Sequence, residues 1–189
     1  VRRDPPDSPV LISYGSGLPD FLETFEPAEK LAYLPDVARI EIAWVQAYHA
    51  ADFPVLSAET LGAVSPDVLA AANFVPHPSA QIIESNFPIV TIWEMNRSGN
   101  VSPVDMTIAE SALVTRPNMD VEVRRLPAGG AAFLSALAAG APFGEAAEQA
   151  MTDHPEFDLP GNIGGMLEAG VFTRIAGQSE DTSALETDE

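Results

Sequence analysis

The chain is 189 residues long, 46% hydrophobic and strongly acidic, with 28 Asp and Glu against 9 Lys and Arg and a formal net charge of −19. That length and apolar content allow one large or two small domains with a real core. Scattered, scarce cations work against a nucleic-acid backbone, whose binding releases counterions through clustered Lys and Arg, and the absence of cysteine removes disulfides, thiolate zinc sites and cysteine nucleophiles together.

No long uncharged apolar run and no basic region ahead of a short apolar stretch is visible, so neither a membrane span nor a signal peptide is expected and a cytoplasmic location fits. The opening "VRRDPPDSPVLISYG" reads as the middle of a sequence, which predicts a fragment or a processed product. Acidity concentrates towards the other end, where residues 128–189 hold eleven Asp or Glu and the single cation Arg174.

In chain order, "SPVLISYGSGLPDFLETF" predicts an extended apolar piece, a turn at Gly15 and Gly17 and a short helix around Phe21, Leu22 and Phe25. The strongest helix is predicted from about Leu34 to Ala51. Pro35 suits its first positions, Asp36 the positive end of its dipole, and Val37, Ile40, Trp44 and Tyr48 recur at spacings of three and four. Two short helices are predicted to start at Ser57 and Ser65. From His77 the composition turns β-branched and aromatic: "SAQIIESNFPIVTIWEMN", "SALVTRPN" and "DVEVRRLP" predict three antiparallel strands, with turn chemistry at 117–120 before the last. Helices ending at Gly140, near His154 and at Gly170 follow, then a terminal strand in "VFTRI".

The order predicts an α+β protein. Residues 1–76 are expected to form part of a helical module, 77–176 a winged-helix-like module with a small antiparallel sheet and three helices, and 177–189 an acidic disordered tail. Winged-helix modules bind DNA or peptides, so topology does not choose between them. The third helix, "LPGNIGGMLEAG", offers no Lys or Arg and carries Glu168, which disfavours DNA. Strand addition is the other use: an extended peptide pairs with a sheet edge and is selected by side-chain pockets. The predicted cradle is Val121, Glu122, Val123, Arg124, Arg125 and Leu126 on the third strand, with Ile163, Met166 and Leu167 on the third helix. Arg124 and Arg125, the one adjacent basic pair outside the N-terminus, could dock a peptide carboxylate or simply form internal ion pairs.

Conventional chemistry finds little purchase. His49 and Asp52 in "WVQAYHAAD" could hold a metal with Glu41, serve as an acid–base pair, or finish a helix against its dipole; no HExxH pairing accompanies them. His77 and His154 sit beside prolines without an evident partner. "SYGSG" is not a GxSxG elbow, and "PAGGAAF" lacks GxGxxG spacing, a tight left-handed turn being its better explanation. These absences point to a binding or accessory protein, with no cofactor of its own.

Three stretches, "SPVLISYGSGLPDFLETF", "LAYLPDVARIEIAWVQAYHAAD" and "IIESNFPIVTIWEMN", together resemble the HvfC/BufC family, long labelled a DNA-binding domain. The likeness spans most of residues 8–96, with Leu18, Ala32 and Phe87 as conservative departures. It implies helices preceding the first stretch, whose loss would expose apolar surface around Ile40 and Trp44. It further implies an accessory subunit that holds a ribosomally made precursor peptide and presents it to a multinuclear non-heme iron oxidative enzyme, the iron residing in that partner and some products binding copper. Asp36, Glu41, Trp44, Tyr48, His49 and Asp52 match the family's helix motif and are expected at the partner or inter-module interface, or else to tie the helix to its own domain. A DNA-binding transcriptional regulator is the alternative, and an enzyme using His49 a third.

Overall fold

The computed structural model describes residues 15–177. The extended piece expected before Gly15 and the acidic end beyond Gly177 lie outside the described residues. A turn with Gly15 at φ +92° leads into α1 (Leu18–Thr24), and a single 3₁₀ turn separates it from α2 (Leu34–His49). Arg39 fastens the two, binding Glu23 on α1 and Asp36 on its own helix. The Glu23 bond, against some cost of burial, holds its guanidinium above the ordinary arginine range. Two short helices follow, α3 (Ala58–Gly62) and α4 (Pro66–Ala70). Ser57 caps α3 as its sequence predicts, accepting from the Thr60 N–H at 3.0 Å.

The remaining elements are β1 (Phe74–Pro76), β2 (Gln81–Glu84), α5 (Ile89–Ser98), β3 (Ser111–Thr115), β4 (Glu122–Arg125), α6 (Gly130–Ala138), α7 (Phe143–Asp153), α8 (Leu159–Glu168) and β5 (Phe172–Ile175). The protein is therefore α+β, with helices and two antiparallel sheets: β1 pairs with β5, and β2, β3 and β4 form a second sheet with β3 in the middle. One prediction is corrected. The long first strand ends at Glu84, and "IVTIWEMN" is helix, because Ile89, Val90 and Trp93 bury one helical face against the sheet.

The three-stranded sheet is apolar on both sides. On one face Ala112 and Val114 of β3 and Ile83 of β2 meet Ile40, Ala43 and Ala47 of α2 and Val90 and Trp93 of α5. On the other, Leu113 joins Phe133, Leu134 and Leu137 of α6, the small face of α7, and Met166 of α8. Leu56, Leu61 and Phe74 of β1, all preceding the three-stranded sheet in the chain, complete this second core, so residues on both sides of position 77 share it. Ile40 is fully buried and Trp44 packs half-buried against the first core, while Val45 and Tyr48 beside them on α2 are exposed.

Candidate peptide-binding groove

β4 lies at the margin of its sheet. It pairs with β3 through Ala112↔Arg125, Leu113↔Arg124, Val114↔Val123 and Thr115↔Glu122, and among the described residues no strand flanks its other side. Leu126 N–H donates to Ser111 C=O at 2.8 Å. Antiparallel alternation then turns the amides of Arg124 and Glu122 towards β3 and leaves the N–H and C=O of Val123 and Arg125 facing outward. No hydrogen bond from the described residues reaches those outward groups.

Beside this margin runs α8. Pro160 sits in its first turn, and it stops in a Schellman arrangement: Gly170 N–H donates to Leu167 C=O at 3.1 Å and Val171 N–H to Met166 C=O at 3.2 Å. Gly170 is needed there, at φ +63°, where a Cβ would come within 2.8 Å of Val55. Between β4 and α8 opens a groove of about 150 Å³, with Leu113, Leu126, Leu134, Met166 and Gly165 among its lining residues and Asn162 on its wall.

The two arginines stand on opposite faces of the strand. Arg124 faces α8, with Nε donating to Glu122 at 2.7 Å and Nη1 pairing with Glu168 at 3.0 Å. Burial lowers its pKa, and the bonds to Glu122 and Glu168 more than offset this, so the net direction is upward. Arg125 faces α5, where it donates to Thr91 Oγ1 at 2.8 Å and pairs with Glu110 at 2.9 Å. The Glu110 carboxylate is buried and also accepts from the Thr91 N–H and hydroxyl, at 2.9 and 2.7 Å, in the first turn of α5. Arg125 itself stays half exposed, with 52% of its side chain open.

No family model matches the chain, and no curated protein matches it.

Of the cradle predicted from sequence, Arg124, Leu126 and Met166 line the groove, and Arg125 borders it although its guanidinium lies on the α5 face. Glu122 borders it through Arg124. Val121 and Val123 instead pack on the opposite face, against the α2 and α5 core, while Ile163 and Leu167 pack half-buried on the other core without lining the groove. Leu113, Pro127, Leu134, Gly161, Asn162 and Gly165 also line it and were not among the predicted residues; the glycines carry no side chain to announce a site.

The residues of the α2 motif do not converge on a site. Asp36 accepts from Arg39 and, at 2.6 Å, from the Ser85 hydroxyl, so it ties α2 to the loop before α5. Glu41 is exposed. Trp44 stacks on Tyr48 with centroids 5.8 Å apart, and Arg97 of α5 lies over both Trp44 and Trp93. His49 is exposed and meets the Tyr48 ring edge-on. Asp52 pairs with Arg116, which donates to Tyr48 C=O at 3.0 Å and Ala50 C=O at 2.6 Å. His77, without a partner in the sequence reading, is buried: its Nδ1 accepts from the Ser79 N–H at 3.1 Å, and its Nε2 lies 3.2 Å from Phe53 C=O. Among the described residues no group of three or more His, Asp or Glu is placed to hold a metal ion, and no helix is long and apolar enough to cross a membrane.

Proposed function

We propose that this protein is a non-catalytic accessory subunit that binds a ribosomally made precursor peptide and presents it to an iron-dependent oxidative modifying enzyme, the peptide adding a strand along β4. The observation that carries the binding half is the outward backbone of Val123 and Arg125 beside an apolar groove. Main-chain bonds along such an edge give affinity for any extended chain, and the adjoining pocket gives selectivity. The presenting half rests on the resemblance of "LAYLPDVARIEIAWVQAYHAAD" and its companions to the HvfC/BufC family. α8 carries no Lys or Arg and its Glu168 pairs with the nearest arginine, which makes it a poor partner for a nucleic-acid duplex.

The test is to co-express the protein with an iron oxidase and a short cysteine-bearing precursor encoded beside it, then isolate the complex through the precursor. Recovery of all three chains, lost when the precursor's leader is scrambled, is the expected outcome. A stable pair of protein and oxidase that ignores the precursor contradicts the assignment.

A further inference from the structure

The groove also prescribes what kind of peptide it takes. Arg124 and its cross-strand neighbour Leu113 face α8, whereas Arg125 and its neighbour Ala112 face α5. A strand laid against β4 continues the same pleat, so its consecutive side chains fall alternately on these two faces. On the α8 face it meets the groove bordered by Leu126, Pro127, Gly161 and Gly165, beneath which Leu113, Leu134 and Met166 are buried. Gly165 lines that space, and a Cβ there would touch nothing within 4 Å, so the groove is open on the α8 side. On this face the nearest cation, Arg124, is already engaged by two carboxylates. On the α5 face the situation reverses. Arg125 is half exposed, and its one carboxylate, Glu110, is buried and shared with Thr91.

Resting on the strand-addition reading above, we infer that the site selects an extended peptide carrying a bulky apolar residue directly adjacent to an Asp or Glu. The apolar side chain enters the groove over Gly165 and the carboxylate of its neighbour reaches Arg125. The two residues are adjacent because the receptors lie on opposite faces of one strand; placed two apart they would fall on the same face, and one receptor would go unused. Arg presents a fork of donors that matches a carboxylate, which is why an acidic neighbour is preferred to an amide.

The experiment uses three synthetic peptides of about ten residues in a Thr- and Ser-rich strand-forming background, titrated against the isotope-labelled full chain with amide shifts as readout. The first carries Leu and Glu adjacent, the second Leu and Glu two positions apart, the third Leu and Gln adjacent. The first is expected to bind about tenfold more tightly than the others, the scale of one charge-assisted bond or one buried anchor. Gly165→Leu, which fills the groove, should remove the advantage, and Gly164→Leu, on the same helix but away from the groove, should keep it. Equal affinities for all three peptides would overturn the pairing rule while leaving strand addition standing. No shift at Val123 or Arg125 with any of them would remove strand addition itself, and the rule with it.

Discussion

At the end of α2, Arg116 donates to the carbonyls of Tyr48 and Ala50 and pairs with Asp52, its own side chain only 9% exposed. A helix terminus leaves carbonyls without partners, and here one guanidinium from the loop after β3 supplies two of the bonds. Arg116→Met should therefore cost about 1–3 kcal/mol, the usual penalty for orphaned polar groups. Asp52→Asn should cost under about 1 kcal/mol, because Asp52 is 67% exposed and Arg116 keeps its bonds to both carbonyls. Urea denaturation of both variants checks the ranking, and a costlier Asp52 variant would contradict it. His77 makes a parallel case: His77→Ala strips partners from the buried Ser79 N–H and the part-buried Phe53 C=O, for an expected loss of about 1–3 kcal/mol by the same measurement. Neither role could be read locally, since Arg116 lies 64 residues from Asp52 and Phe53 lies 24 from His77.

Among the elements, α8 offers the sharpest contrast. Gly170 ends it at φ +63° with Val55 close behind, so Gly170→Ala meets both backbone strain and a clash and should destabilise by about 1–2 kcal/mol. Gly164, in mid-helix with open space around it, should be stabilised on replacement by Ala by about 0.5–1 kcal/mol. Thermal melts of the two variants should move in opposite directions; shifts of one sign would refute this account of α8. The C-terminal helices and their glycine stops were legible because helical spacing and C-capping are local signals. α5 was not, because Ile89, Val90, Thr91 and Ile92 carry β-branched side chains that favour a strand by propensity. The deciding pattern was the four-residue recurrence of Ile89, Trp93 and Arg97, which places the first two in the core and the third on Trp44. β1 was missed for a different reason. Its partner β5 lies about a hundred residues further along, and such a pairing leaves no imprint on three residues of sequence.

For the whole molecule, the three-stranded sheet is held between two apolar cores that fix β2 and β3 on both faces, while β4 is only partly covered and, among the described residues, has no strand along its outer edge. Open edges ordinarily invite uncontrolled pairing, and charged side chains blunt them. Arg124 and Arg125 place charge on this edge, and the proposed peptide would use Arg125 for selection. The direct measurement is amide hydrogen exchange at β4, with and without a saturating precursor peptide. Strand addition predicts that Val123 and Arg125 exchange fast in the free protein and are strongly protected in the complex, while Arg124, already bonded to β3, is protected in both. Protection of Val123 and Arg125 without peptide, or no change in them at saturation, would contradict it.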